Sequence, residues 1–186
     1  ALALGQERAE DGIMKLPPRS PDAKILDKEM RASITIQALA IMVTVFAAFN
    51  LGRIFYPDVY LDGGMSVANF SFMPLRGTQP SVGAHTFAFI CLILAELVRA
   101  YSSRSGRHSV FSLGFFSNAT LNKAILLSLG LTLAVVYLPF MNDPFYTIPL
   151  QLRDWGVILT LVLIPFAAGE IFKKLYHRSG KKRKAA

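Results

Sequence analysis

Four stretches of this chain are long and apolar enough to cross a lipid bilayer, which takes about 20 helical residues. They run from about Ser33 to Phe55, Ser81 to Tyr101, Lys123 to Phe140 and Trp155 to Leu175. Strands of a membrane barrel would alternate apolar and polar residues, and these stretches are apolar throughout, so they read as helices. The composition agrees. Of 186 residues 53% are hydrophobic and 17% charged, with a mean hydropathy of +0.41; soluble domains carry about a quarter charged residues. Fourteen Phe residues exclude disorder, which is poor in large apolar side chains. The expected fold class is an all-α membrane protein, a four-transmembrane-helix bundle with both termini cytoplasmic.

That orientation comes from the basic residues. All but three of the 20 Lys and Arg fall on one side: before the first span, between the second and third or at the span ends there (Arg99 just inside, Lys123), and at or after the end of the fourth. The exceptions are Arg53, Arg76 and Arg153, in or beside loops that also carry Asp58, Asp62, Asp143 and Asp154. The positive-inside rule makes the basic side cytoplasmic. Interface aromatics fit, with Phe55, Tyr56, Tyr60, Phe145, Tyr146 and Trp155 at outer ends and Tyr101 and Tyr176 at inner ends. The same clustering at ends and in one loop, away from any aromatic-studded face, argues against nucleic acid as the partner of a chain with net charge +8. The single cysteine, Cys91, lies in an apolar run and gives neither a disulfide framework nor a metal cluster.

The domain reading is a proline-containing cytoplasmic loop over residues 1–32 that follows an upstream helix, a transmembrane domain over 33–175 and a basic cytoplasmic tail over 176–186. Pro17, Pro18 and Pro21 deny a helix to the loop. Its apolar opening, ALALG, reads as the end of something longer. The first apolar stretch follows some 30 polar residues and has no small-residue cleavage site, so it is not a signal peptide. The basic tail suits orientation first and attraction to anionic lipid heads second. Asn69 and Asn118 each begin a glycosylation-like triplet; the second lies on the cytoplasmic side and is dismissed.

The loop IMKLPPRSPDAKILDKEM, the run NATLNKAILLSLGLTLAVVYLPF and the close DWGVILTLVLIPFAAGEIFKKL resemble the C-terminal membrane region of P-type cation-transporting ATPases. The likeness points to the calcium pumps of sarco/endoplasmic reticulum and their bacterial relatives. It implies that the spans are the family's seventh to tenth helices, and that the chain is a fragment of an ATP-driven cation transporter, with Ca²⁺ as the transported ion. Its partners would be the lipid bilayer and the remaining domains and helices of the pump, in a bacterial plasma membrane. ATP and Mg²⁺ would belong to the missing domains. The family's phosphorylated D-K-T-G-T motif does not occur here, nor does any phosphate loop, so no ATPase activity is expected from this chain alone.

Ionisable residues within a span are costly and count as site hypotheses. Glu96 leads: by the resemblance, the eighth family helix carries an ion-ligating glutamate at the matching place, and a carboxylate is a suitable hard ligand for Ca²⁺. A second reading stands beside it, because Arg99 is one turn on and can pair with Glu96. The family pattern has no arginine there. Glu170, five residues after Pro165, is either a second ion or proton site or a buried contact to a donor. Gln37 and Asn50 suit hydrogen bonds between helices, and His85 and His108 stand alone. Ala40, Ala47 and Ala48, then Ala124, Ser128 and Gly130, would permit close helix packing. A stand-alone membrane scaffold or assembly protein is the alternative from another class. A channel is weaker, since Glu96, Gln37 and Asn50 do not line one continuous face.

Overall fold

The structure, a computed structural model, describes Gly5 and residues 28–56, 81–104, 114 and 117–184. The loop of residues 6–27, Asn69 and His108 lie outside these. Helix α1 is Lys28–Phe55, α2 Val82–Ser102, α3 Ala119–Tyr137, α4 Pro139–Phe145 and α5 Leu152–Lys184. All but the short α4 are long and apolar enough to span a membrane. The helical reading of the four stretches therefore holds, with shifted ends.

The shifts have local causes. α1 starts at Lys28, ahead of the apolar run, because Lys-Glu-Met-Arg-Ala are all good helix formers. α3 starts at Ala119 because Asn118 caps it, its Oδ1 accepting from the Leu121 amide at 2.9 Å. This cap gives Asn118 its structural role. At the other end α3 stops at Tyr137, short of Phe140. Leu138, which precedes a proline, is extended (φ −85°, ψ 118°), and Pro139 opens α4. Ser81 caps α2 in the same way, through its Oγ and the Ala84 amide at 3.2 Å.

The helices do not form a symmetric bundle of four. α1, α2 and α5 pack against one another, whereas α3 rests on α2 and on α4. Ala48, Phe87, Cys91, Leu94, Ile158 and Val162 belong to the core of this packing. α1 and α2 come closest at Gly52, where an added Cβ would lie 2.7 Å from both the Ala84 Cα and the Gly83 carbonyl. In hydrocarbon, helices associate largely through such close packing, since lipid is as apolar as leucine. The small residues of α3 behave differently from expectation. Ala124 is exposed, and Gly130 faces open space with nothing within 4 Å.

One end of the molecule carries Tyr56, Ser81 and Asp154, the other Arg31, Ser102 and Lys173; below these are the aromatic end and the basic end. At the aromatic end, Tyr56 donates to the Asp154 carboxylate at 2.5 Å, and the same oxygen accepts from the Gln151 amide at 2.9 Å. Arg153 lies 4.4 Å over the Phe55 ring. The non-helical residues 147–150 are held by side chains: the Thr147 hydroxyl donates to the Val135 carbonyl at 2.9 Å, and the Ile148 amide donates to Thr86 Oγ1 at 3.1 Å. Among the described residues no buried side-chain nitrogen or oxygen lacks a partner, as a low-dielectric surround demands.

Burial and the neighbouring Asp154 carboxylate push the Tyr56 phenol up to about 12 from 10.0. A group whose folded pKa is raised adds stability that is complete below its unfolded pKa and is lost as pH rises through the folded one. Unfolding in detergent is therefore expected to become easier between pH 10 and about 12, the interval between the two pKa values. The Tyr56→Phe variant loses this pH dependence; an identical profile in both proteins would exclude Tyr56 as its source.

Candidate functional site

On α2 the buried positions Ile90, Cys91, Leu94 and Ala95 face the other helices. Their spacing of 3.6 residues per turn leaves His85, Leu92, Glu96 and Arg99 on the exposed side. Glu96 therefore does not point into the core formed by this chain. Its Oε2 lies 3.1 Å from the Arg99 Nε, with the two side chains 48% and 43% exposed. Arg99 also lines a crevice of about 10 Å³ among Gln37, Ile41, Ala95, Ser102 and Pro165. That is close to the volume one water requires. Arg99 thus borders the crossing of α1, α2 and α5 while its Nε reaches the carboxylate.

Glu170 belongs to a separate cluster at the basic end. Its Oε1 accepts from the Ser102 hydroxyl at 3.2 Å and from Lys173 Nζ at 3.1 Å. Lys173 also donates to the Ser102 carbonyl at 2.5 Å. One cation thus serves both an acid one turn earlier on its own helix and the carbonyl that ends α2, where the helix dipole is negative. The pair is nearly covered, with 10% of Lys173 and 14% of Glu170 exposed. Gly169 lies beside this cluster: a Cβ there would meet Gln37 Nε2 and Ser102 Oγ at 3.4 Å, an ordinary contact distance.

The remaining polar residues singled out in the sequence act locally. Gln37 Nε2 donates to Ser33 Oγ at 3.4 Å and Asn50 Nδ2 to the Phe46 carbonyl at 2.8 Å, each within α1 rather than between helices. His85 Nδ1 lies 3.0 Å from the Tyr146 carbonyl oxygen, and its ring stacks on Phe89. α5 runs unbroken through Pro165, which is buried. Among the described residues, no group of three or more His, Cys, Asp or Glu gathers as a metal cage would require. Glu96 and Glu170 are thus not brought together: the first is on the open side of α2, the second is tied into a clasp.

Sequence reasoning missed Ser102, Lys173 and the Tyr56–Asp154 bond. Lys173 stands at i+3 from Glu170 and could have been found by helical spacing. The bond from Tyr56 to Asp154 joins residues 98 apart in the chain and leaves no local signal.

Comparison with known proteins completes the description. A family model described as "Cation transporting ATPase, C-terminus" matches residues 1–175. Calcium-transporting ATPase 1 of Bacillus cereus is 30% identical over 175 residues, 93% of this chain and 19% of that protein. Calcium-transporting ATPase 1 of Saccharomyces cerevisiae is 30% identical over 179 residues, 96% of this chain and 16% of that protein. Calcium-transporting ATPase type 2C member 1 of Homo sapiens is 26% identical over 94% of this chain and 17% of its own length. The chain spans less than a fifth of the length of these relatives.

Proposed function

The chain belongs to the family of cation-transporting ATPase C-termini, and from that premise we propose that it braces the ion-binding helices of an ATP-driven calcium pump and lends them one ligand, Glu96. The observation that carries the proposal is the open side of α2. A charged side chain within a membrane span needs protein or water around it. This chain leaves Glu96 uncovered by its own helices. The transport helices of the larger protein are the natural cover, and a carboxylate delivered to them is a hard oxygen donor suited to Ca²⁺. The packed trio α1, α2 and α5 gives that carboxylate a rigid backing.

In this proposal both termini are cytoplasmic, so the basic end, with the clustered Lys and Arg, faces the cytoplasm. The loop of residues 11–30, which runs into the start of α1, then faces the pump's phosphorylation machinery, and the tail beyond 175 extends α5 into the cytoplasm of a bacterial cell whose plasma membrane holds the pump. Phosphoryl transfer from ATP, and the Mg²⁺ it requires, are assigned to the rest of the protein. Glu96→Gln in the full-length pump is expected to raise the Ca²⁺ concentration for half-maximal phosphoenzyme formation by about tenfold or more, the cost of one charge-assisted contact. Unchanged ion dependence would remove Glu96 from the site.

A further inference from the structure

Arg99 gives Glu96 a cation before any transported ion arrives. The Nε–Oε2 distance is 3.1 Å, and the two residues share one helical face. A guanidinium is protonated at every accessible pH, so Arg99 cannot yield the carboxylate by losing a proton. It can yield only by moving. Arg99 also lines the crevice with Gln37, Ala95, Ser102 and Pro165, so part of it is anchored where the helices cross while its Nε stays beside Glu96.

We propose that Arg99 is a tethered competitor that sets the affinity of the Glu96 site for divalent cations. This rests on the reading of Glu96 as a ligand. With the pair closed, carboxylate and guanidinium together carry no net charge and offer little to Ca²⁺. A cation entering from the open side of α2 must displace the guanidinium, and the displaced positive charge stays within a side chain's length of the ion. Both effects weaken binding. When the ion leaves, Arg99 recaptures the carboxylate, so the empty site carries no bare charge within the membrane, where one would be costly. Leucine at this position would keep an apolar side chain on the helix and lose the competitor; lysine would keep a movable charge.

The test uses the full-length pump in its membrane, phosphorylated from labelled ATP over a range of free Ca²⁺. Arg99→Leu is expected to lower the half-saturating Ca²⁺ about tenfold, within the usual range of coupling between sites, and to leave maximal phosphoenzyme unchanged. Arg99→Lys stays near wild type. Adding Glu96→Gln to Arg99→Leu abolishes the gain, because the competitor acts only through that carboxylate. A purely structural arginine would change the amount of phosphoenzyme and not its Ca²⁺ dependence. If Arg99→Leu fails to accumulate, Arg99→Gln retains most of the stem without the charge and is expected to shift in the same direction. Wild-type Ca²⁺ dependence in a folded Arg99→Leu or Arg99→Gln pump overturns the proposal alone. A wild-type pump indifferent to Ca²⁺ overturns the calcium reading as well.

Discussion

Replacing Gly52 with leucine is expected to pull α1 away from α2 and to lower stability strongly. An added Cβ would sit 2.7 Å from the Ala84 Cα and 2.7 Å from the Gly83 carbonyl. These are backbone atoms of a hydrogen-bonded helix, so no side-chain rotation relieves the clash. Gly83 is hemmed in at the same crossing, where a Cβ added to it would overlap Tyr56 Cβ and Cγ. Tyr56 in turn is tied to Asp154 at the start of α5. Overpacking a core costs about 1–3 kcal/mol where neighbours can move; here the neighbours are main chain, and the expected cost is at the upper end or beyond. Gly130→Leu is the matched control, since that glycine faces open space and the added side chain meets nothing. Thermal unfolding in detergent, followed by size-exclusion chromatography, compares the two. Equal loss in both variants would mean that the Gly52 crossing contributes nothing specific.

The second large effect is expected at the basic end. Glu170→Leu leaves Lys173 as a nearly covered cation with its carboxylate gone. Breaking a buried pair from one side costs about 3–5 kcal/mol, because the surviving charge keeps its desolvation penalty. Lys173→Met from the other side takes the cation from Glu170, leaving it the Ser102 hydroxyl, and also deprives the Ser102 carbonyl of this donor. The double variant is expected to be milder than the sum of the singles, since no ion remains to be desolvated. A double-mutant cycle on thermal stability measures this directly. Strict additivity would show that Glu170 and Lys173 do not act as a pair.

The clasp shows why only part of the molecule could be read from sequence. The four spans were legible because hydrocarbon demands about 20 apolar residues in succession, and that demand is written in order along the chain. Helix ends were not read from apolarity: Asn118 and Pro139 decide α3, and both move its ends from Lys123 and Phe140, where the apolar run put them. Partner choice between spans was not legible. Ala124 and Gly130 look as small as Ala48, yet Ala48 is buried and the other two are exposed. Size permits close packing without saying which helix arrives. Gln37 and Asn50 were expected to bond across helices, and a nearby acceptor on their own helix satisfies each. For Glu96, spacing alone brought Arg99 to the same face, and the ion pair follows. That the face is open required the packing of α1 and α5 on the other side of α2.

The proposed function makes this chain part of a larger protein that takes phosphate from ATP. One labelling experiment addresses that directly. Native membranes would be incubated with γ-labelled ATP with and without Ca²⁺, captured with an antibody to the sequence KKRKAA, and resolved by size. The expected result is a labelled band several times larger than 20.5 kDa, seen only with Ca²⁺. An unlabelled band at 20.5 kDa would mean that the helices are made alone, and would leave a membrane scaffold in place of a pump.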